Sequence, residues 1–420
     1  MGWNWAAQIA RFHEVWVITR ANNRGSIEKS LAKRPLPNVH WVYFDLPRWA
    51  RFWKKGDRGL HIYYYLWQLG AYFVAKKLHR EVGFDLVHHV TFVSYWMPSF
   101  LALLPVPFVW GPVGGGESVP RAFWPCIGLR GRRYEILRDL AQGLGQLDPF
   151  VRLTARRAAI TFVTTHDTEA RINLIGCRRA AVYSGIGLPA EDIQRLDKIP
   201  NHPGDPFRLL GVGGLFHWKG FELALRSFAL FNKRFPNSEY WIIGDGPGRK
   251  RLHKLACELH VAGKVIFWGL LPRSEVLEKL AQCDALVHSS LHDSGGWVCL
   301  EAMAAARPVI CLNLGGPAFH VTDETGIKVP ATSPQQAVSD LAAAMLRLAQ
   351  DPALRLRLGQ AGRRRVAAQF HWDQKGIFMA RIYEAVKASR VGGFTRVSAE
   401  PVTPGVGAQV GGIAEDSIAN

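Results

Sequence analysis

Cysteine is sparse in this sequence. The six present (Cys126, Cys177, Cys257, Cys283, Cys299 and Cys311) stand alone, with no CxxC and no close histidine pairing. That argues against a zinc module or a disulfide scaffold and fits a reducing cytosol. Long apolar runs are lacking as well: none free of charge reaches the ~18 residues that a membrane-spanning helix needs. The best stretch, 95–112, is broken by Pro98, Pro105 and Pro107. No secretory leader is expected, since Met1 runs straight into an amphipathic segment. Acidic residues are the scarcer charge, 34 against 52 Lys+Arg, which leaves +18 at pH 7. Such an excess invites a nucleic-acid reading, but no recognisable nucleic-acid module accompanies it. Repeats at solenoid spacing are absent too.

What remains is a globular composition. With 48% hydrophobic, 11% aromatic and only 20% charged residues, the chain can bury a core, and 420 residues suffice for two domains. The basic charge is uneven: residues 1–199 carry 27 Lys/Arg against 15 Asp/Glu, the rest 25 against 19. A basic first half suits an anionic partner, although a solvated cationic surface accounts for any single cluster. The segment 48–80 mixes Arg and Lys with Trp and Tyr. Its tyrosines read first as core, and the patch reads second as an interface with anionic lipid.

Runs rich in branched and aromatic residues alternate with helical periodicity, the pattern of a parallel α/β architecture. Strands are predicted at 14–19, 39–44, 86–90, 108–111, 159–165 and 181–184 in the first half. In the second half they fall at 207–212, 240–243, 265–268, 285–288 and 309–312. Helices are predicted between them, among others at 63–82, 132–140, 220–235, 248–260, 274–283 and 297–306. Two such βα sets predict two Rossmann-like domains, 1–188 and 207–372. The Pro-rich polar segment 189–206 reads as a linker. Residues 373–390 read as a C-terminal helix, and the Gly/Val/Ser/Pro-rich 391–420 as a disordered tail.

The densest chemistry lies in 286–317, LVHSSLHDSGGWVCLEAMAAARPVICLNLGGP. A strand leads into a loop bearing Asp293, then Ser294, Gly295 and Gly296, and a helix opens at Trp297 with Glu301 inside it. Glycines ahead of a helix leave N–H groups directed at one spot, where the helix dipole favours an anion. A second glycine turn, Gly315-Gly316, follows the next strand. Two such turns flanked by carboxylates suit a diphosphate between polyols, the carboxylates accepting from sugar hydroxyls.

These residues resemble the retaining GT-B glycosyltransferases of glycosyl transferase group 1, also called family 4. DSGGWVCLEAMA matches the family signature with Asp293 as first acid and Glu301 as second, eight positions apart, and with Gly295 replacing the usual aromatic. GVGGLFHWKG (211–220), GDGPGRKRL (244–252), GLL (269–271) and PVICLNLGGP (308–317) match further markers. The likeness is strong over 207–383 and weaker before it. It implies a GT-B fold, two Rossmann-like domains facing a cleft. It also implies transfer of a hexose-type sugar from a nucleotide-sugar donor, with retention, to a glycan or polyprenyl-phosphate-linked acceptor. By resemblance Lys219 pairs with the donor diphosphate and Glu301 accepts from the ribose hydroxyls. Asp293 contacts the donor sugar near the reacting carbon, and the Gly244-Asp245-Gly246 turn lies near the base. No DxD-type metal motif is present, and no metal or cofactor is expected, the nucleotide-sugar being substrate.

In the first half, relatives carry a histidine on the donor sugar after the strand that here ends in His88-His89, so either is a candidate catalytic residue. Gly114, Gly115 and Gly116 form a dense loop after the strand at 108–111 and are expected on the acceptor side of the cleft. Two departures stand out. Gly214 takes the place of an arginine that would meet the phosphates. Relatives also begin with a strand and glycine loop ahead of the helix that opens this chain, so the first domain is expected to lack its opening strand. Enzymes of this family in bacteria mostly build surface polysaccharide, which places the chain in the cytoplasm, at times against the inner face of the membrane. The departures leave a second reading, a catalytically impaired or non-catalytic sugar-nucleotide-binding partner.

Overall fold

A computed structural model describes residues 1–54, 56, 59–91, 94–199 and 205–388. The tail 391–420 and positions 200–204 of the expected linker lie outside the described residues. Six strands build the first domain: β1 (Val15–Arg20), β2 (Val39–Phe44), β3 (Val87–His89), β4 (Phe108–Val113), β5 (Ala158–Val163) and β6 (Ala180–Val182). All pair in parallel, as βα alternation demands, but they form two sheets, β1-β2 and β3-β4-β5-β6. A cavity of about 980 Å³ is lined by both β1 and β3, with Trp16, Ile18, His88 and His89 among its walls. The first domain's sheet is thus divided near its centre, where a doubly wound sheet keeps its first strand.

The second domain is one six-stranded parallel sheet: β7 (Phe207–Val212), β8 (Ser238–Ile243), β9 (Val265–Gly269), β10 (Ala285–His288), β11 (Val309–Leu312) and β12 (Gly326–Val329). Its order is β12-β11-β10-β7-β8-β9. Numbered within the domain this is 3-2-1-4-5-6 read from the β9 edge, the dinucleotide-binding order, with the switch point between β7 and β10. Successive strand residues feed opposite faces, as the two-residue period requires. Leu209, Tyr240, Ile242, Ala285 and Ile310 pack under the Phe221–Arg234 and Pro334–Gln350 helices. Leu210, Trp241, Ile243, Leu286 and Cys311 pack with the Trp297–Ala304 helix on the other face. Each fully buried Leu or Ile of this set stabilises the fold by about 1.5–3 kcal/mol.

The segment 189–206 is not all linker. It contains the Ala190–Asp197 helix, whose Leu196 is fully buried in the second domain's core. The Trp372–Ala388 helix runs the other way and completes the first domain: Trp372, Met379, Ile382 and Tyr383 share a core with Trp5, Ile9, Val109 and Phe162. Trp5 meets Trp372 edge-on at 5.3 Å between ring centroids. The chain therefore crosses between domains twice, and the crossings are joined. Leu188 N–H donates to the Phe370 carbonyl at 2.8 Å, and Trp372 N–H to the Leu188 carbonyl at 3.2 Å.

Candidate active site

The loops after β7 and β10 meet at the switch point. Gly220, at φ +66°, abuts the Ser289 carbonyl so closely that a Cβ would stand 1.9 Å from its oxygen, so only glycine lets the loops approach. That approach sets Lys219 Nζ 2.5 Å from Asp293 Oδ2. The other carboxylate oxygen, Oδ1, accepts from Gly295 N–H and Gly296 N–H at 3.0 Å each. His288, at the buried end of β10, brings Nε2 within 3.4 Å of Oδ2. Burial works against ionisation of Asp293, but His288 and Lys219 outweigh it and hold the carboxyl well below the usual carboxylate range. The site therefore contains a fixed carboxylate with a lysine against it.

This arrangement corrects one expectation. The amides of Gly295 and Gly296, read as diphosphate ligands, are engaged by Asp293 in a turn that its own side chain closes just ahead of the helix. Gly316 N–H likewise donates to the Asp293 carbonyl at 2.8 Å. The Gly315–His320 helix has only 6 residues and braces the first loop: a Cβ at Gly316 would lie 2.4 Å from the Ser294 carbonyl oxygen, and one at Gly315 2.4 Å from that of Asp293. Donors for an anion are then the N–H groups of the first turn beyond Gly296, at Trp297 and Val298, which have no carbonyl four residues back in the helix. Trp297 is partly buried against the second domain's core.

Glu301 is buried, and its Oε1 accepts from Arg273 Nε at 3.1 Å and Nη2 at 2.8 Å. Arg273 also reaches Asp192 at 2.8 Å. Burial raises the Glu301 carboxyl above its ordinary value, with Arg273 opposing. The Gly244-Asp245-Gly246 turn packs on the loop after β7, Gly244 N–H donating to the Gly269 carbonyl and Leu215 N–H to that of Asp245. Asp245 closes its own turn by accepting from Gly246 N–H at 2.7 Å. At Gly214 the room a side chain would need is filled by Phe216, whose ring lies 2.6 Å from a Cβ built there and stacks on Trp218.

From the first domain, Gly114 comes within a side chain's reach of the site: a Cβ on it would meet Ser294 Cβ at 3.4 Å. Gly115 O accepts from Gln142 at 2.8 Å and Arg138 at 3.3 Å, and Gly116 N–H donates to Thr168 Oγ1 at 3.1 Å. His88 and His89 are not brought to this group. His88 Nε2 bonds the Gly111 carbonyl at 2.7 Å and Nδ1 the Tyr383 hydroxyl at 2.5 Å. His89 Nε2 bonds the Tyr64 hydroxyl at 2.9 Å. Burial lowers His88 to about 3 and His89 to about 4, so both rings are neutral at pH 7 where they line the cavity between β1 and β3.

Another contributor, Glu135, was not expected from motif or spacing. This buried acid on the inner face of the Gly128–Leu147 helix lies 3.1 Å from His217 and 3.5 Å from His292, both of the second domain. Burial opposes its ionisation, yet His292, His217 and Arg138 hold its carboxyl below the ordinary value. Arg138 Nη1 lies 3.7 Å from Glu135 Oε2, and Gln142 Oε1 is buried beside them without a hydrogen-bond partner. With His288 and His292 these side chains give the interdomain contact a polar lining. In an arginine-rich helix one glutamate reads as surface, and only the fold turns it inward. Among the described residues no three His, Cys, Asp or Glu side chains group as a metal site would.

Residues 192–365 match the family described as glycosyl transferases group 1. The lipopolysaccharide core biosynthesis glycosyltransferase LpsD of Rhizobium meliloti is 32% identical over 209 residues, 49% of this chain and 58% of that protein. Glycogen synthase of Mycobacterium tuberculosis is 32% identical over 183 residues, 43% of either chain. The chain thus spans about half the length of the curated relatives it matches. Over the whole fold, sucrose-phosphate synthase from Thermosynechococcus elongatus superposes with a TM-score of 0.60 at 20% identity, covering 92% of each chain. Residues 192–365 are thus similar in sequence to glycosyl transferases group 1, and the two domains together have the GT-B fold.

Proposed function

We propose that this protein is a retaining glycosyltransferase of family 4. It moves a hexose-type sugar from a nucleotide-sugar donor to a glycan or lipid-linked acceptor in surface polysaccharide synthesis. The observation that carries this reading is the Lys219–Asp293 pair at the switch point between β7 and β10, where such sheets bind nucleotides. The Trp297 end of its helix favours the donor diphosphate, and Lys219 neutralises charge on the departing nucleoside diphosphate. Asp293, kept ionised, accepts from sugar hydroxyls, and Glu301 from the ribose as it exchanges its bond to Arg273. The Gly114–Gly116 loop presents the acceptor from the first domain. Closure about the Leu188 and Phe370 crossing excludes water, so that the donor is transferred and not hydrolysed. The relative named for lipopolysaccharide core biosynthesis supports a surface-glycan acceptor.

Calorimetry with UDP, GDP and ADP on the parent and on Lys219→Ala tests the donor site. One nucleotide should bind, and the variant should lose about 1.5–3 kcal/mol, the worth of a charge-assisted contact. Unchanged affinity would remove Lys219 from the site. Turnover of the matching nucleotide-hexoses with a lipid-phosphate extract, with the product's anomeric configuration read by NMR, tests transfer and retention. An inverted product refutes the retaining assignment. Binding without turnover would favour the non-catalytic reading.

A further inference from the structure

The Gly128–Leu147 helix that turns Glu135, Arg138 and Gln142 toward the cleft has an opposite face that, among the described residues, is left exposed. Leu129, Ile136, Leu137, Leu140, Leu144 and Leu147 all lie on it, with Leu129 78%, Leu144 71% and Leu147 69% exposed. At 100° per residue these six fall within about a third of the helix circumference, a stripe over five turns long. The Leu60–Val82 helix repeats the pattern: Ile62, Leu66, Leu69 and Phe73, at spacings of four, three and four, are exposed in a narrow row. The two helices meet at their ends. Tyr65 donates to Asp148, the residue after the first helix, at 3.0 Å, and Trp96 is wedged between His61 and Gly145. Trp49 and Phe52, 78% and 77% exposed, precede the second helix. A monomer rarely leaves so much apolar surface in one region without a use for it.

The charge beside it is basic. Arg130 and Arg133 stand exposed at one end of the leucine stripe, and Lys76, Lys77 and Arg80 at the far end of the other helix. We propose that these two helix faces form a docking surface for an anionic lipid bilayer, with leucines in the acyl boundary and the arginines and lysines among the head groups. Apolar side chains supply the insertion and cations select the acidic head group, the pairing that interfacial helices use. A second copy is the poorer occupant, since two chains of net charge +18 repel one another. Because one helix carries both the stripe and the residues that hold Gly115, the bilayer would lie about a helix diameter, ~10–12 Å, from the acceptor-side loop. A lipid-linked acceptor could then enter the cleft without leaving its membrane. That last step rests on the function proposed above; the docking itself does not.

The test is flotation of the full chain with vesicles of phosphatidylcholine alone or mixed with phosphatidylglycerol, with no donor or acceptor present. The parent should bind the anionic vesicles, more weakly as salt rises, and the neutral ones little. Leu137→Gln/Leu140→Gln/Leu144→Gln should weaken binding about tenfold or more at low salt. Arg130→Ser/Arg133→Ser should weaken binding chiefly at low salt, where the lost charges are least screened, and should flatten the salt dependence. Far-UV circular dichroism and nucleotide affinity check that both variants remain folded. A parent that does not float, or a triple variant that floats as well as the parent, overturns the proposal. So does a lipid-free dimer in analytical ultracentrifugation that the triple variant abolishes, which would make the stripe a self-association surface.

Discussion

Lys219 Nζ lies 2.5 Å from Asp293 Oδ2, so the cation proposed to receive a diphosphate is held, in this conformation, by an acid of its own domain. The two demands on Lys219 compete. Asp293→Asn removes one of them, and nucleoside diphosphate affinity should rise by ~1 kcal/mol, the net worth of one such contact. Sugar transfer should fall in the same variant, by about 10²-fold or more, for want of the carboxylate at the sugar. Calorimetry and turnover on one preparation check both; a joint loss would show Asp293 to be structural alone.

The capping glycines of the site differ in what a methyl group would meet. At Gly316 a Cβ would stand 2.4 Å from the Ser294 carbonyl oxygen, whereas at Gly295 the nearest atom is 3.8 Å away. Gly316→Ala should cost about 1–3 kcal/mol of stability through backbone displacement. Gly295→Ala should fold as the parent does. Urea denaturation of the two variants distinguishes them.

Glu135 couples the domains through His217 and His292. Glu135→Ala leaves two imidazoles facing an emptied carboxylate position and should widen the average opening. The expected readouts are a larger radius of gyration by small-angle X-ray scattering and a higher KM for donor. Glu135→Gln, which keeps a hydrogen-bond acceptor, should sit between the variant and the parent.

Buried neutral imidazoles make the first domain sensitive to acid. His88 titrates at about 3 when folded, for burial opposes its charge, against about 6.5 unfolded. The unfolded state therefore binds the extra proton between those values, and stability falls as pH drops through that window. His88→Gln should remove up to ~1.4 kcal/mol per pH unit from that slope. Chemical denaturation of parent and variant at pH 7 and pH 5 measures it. Equal slopes would mean that His88 is hydrated in solution.

Lys375 predicts the opposite end of the pH scale. Buried, with its ammonium donating to the Ser184 carbonyl at 2.7 Å and lying 4.3 Å from the Tyr183 ring centroid, it is lowered by burial to about 7. Between about 7 and the unfolded value near 10.4 the unfolded chain holds the extra proton, so stability should rise with pH across that range. Lys375→Met should flatten the rise and raise stability at neutral pH. Denaturation at pH 7 and pH 9.5 reads both effects.

Eleven of the strands were legible as short runs rich in branched and aromatic residues between helical segments, and Val39–Phe44, Phe207–Val212, Ala285–His288 and Val309–Leu312 coincide with the expected bounds. Gly326–Val329 escaped notice: four residues with a lysine among them carry too little pattern. The two glycine loops and Asp293 were legible as neighbours in one stretch of sequence, whereas the grouping of Lys219 with them was implied by the family resemblance. What spacing could not convey is which hydrogen bonds are already satisfied. Asp293 captures the loop amides because they follow it by two and three residues, and His88 turns to Tyr383 because a helix nearly three hundred residues later docks beside it. The exposed leucines were hidden for the same reason. A helix with apolar residues on one side reads as packed on that side, whereas here the inward face is the polar one.

The joined crossings at Leu188 and Phe370 behave mechanically as a door hinge and not as a pair of tethers. Two independent linkers would let the domains twist, slide and separate. Two crossings bonded side by side through an isolated bridge resist shear and stretch more than free linkers would, and favour a swing about the line through them. The motion then has close to one degree of freedom, and each loop of the second domain travels along a fixed arc. An open state so constrained gains little entropy, so the contacts that draw the domains together need only be few, and a single acid between two imidazoles can set the resting angle.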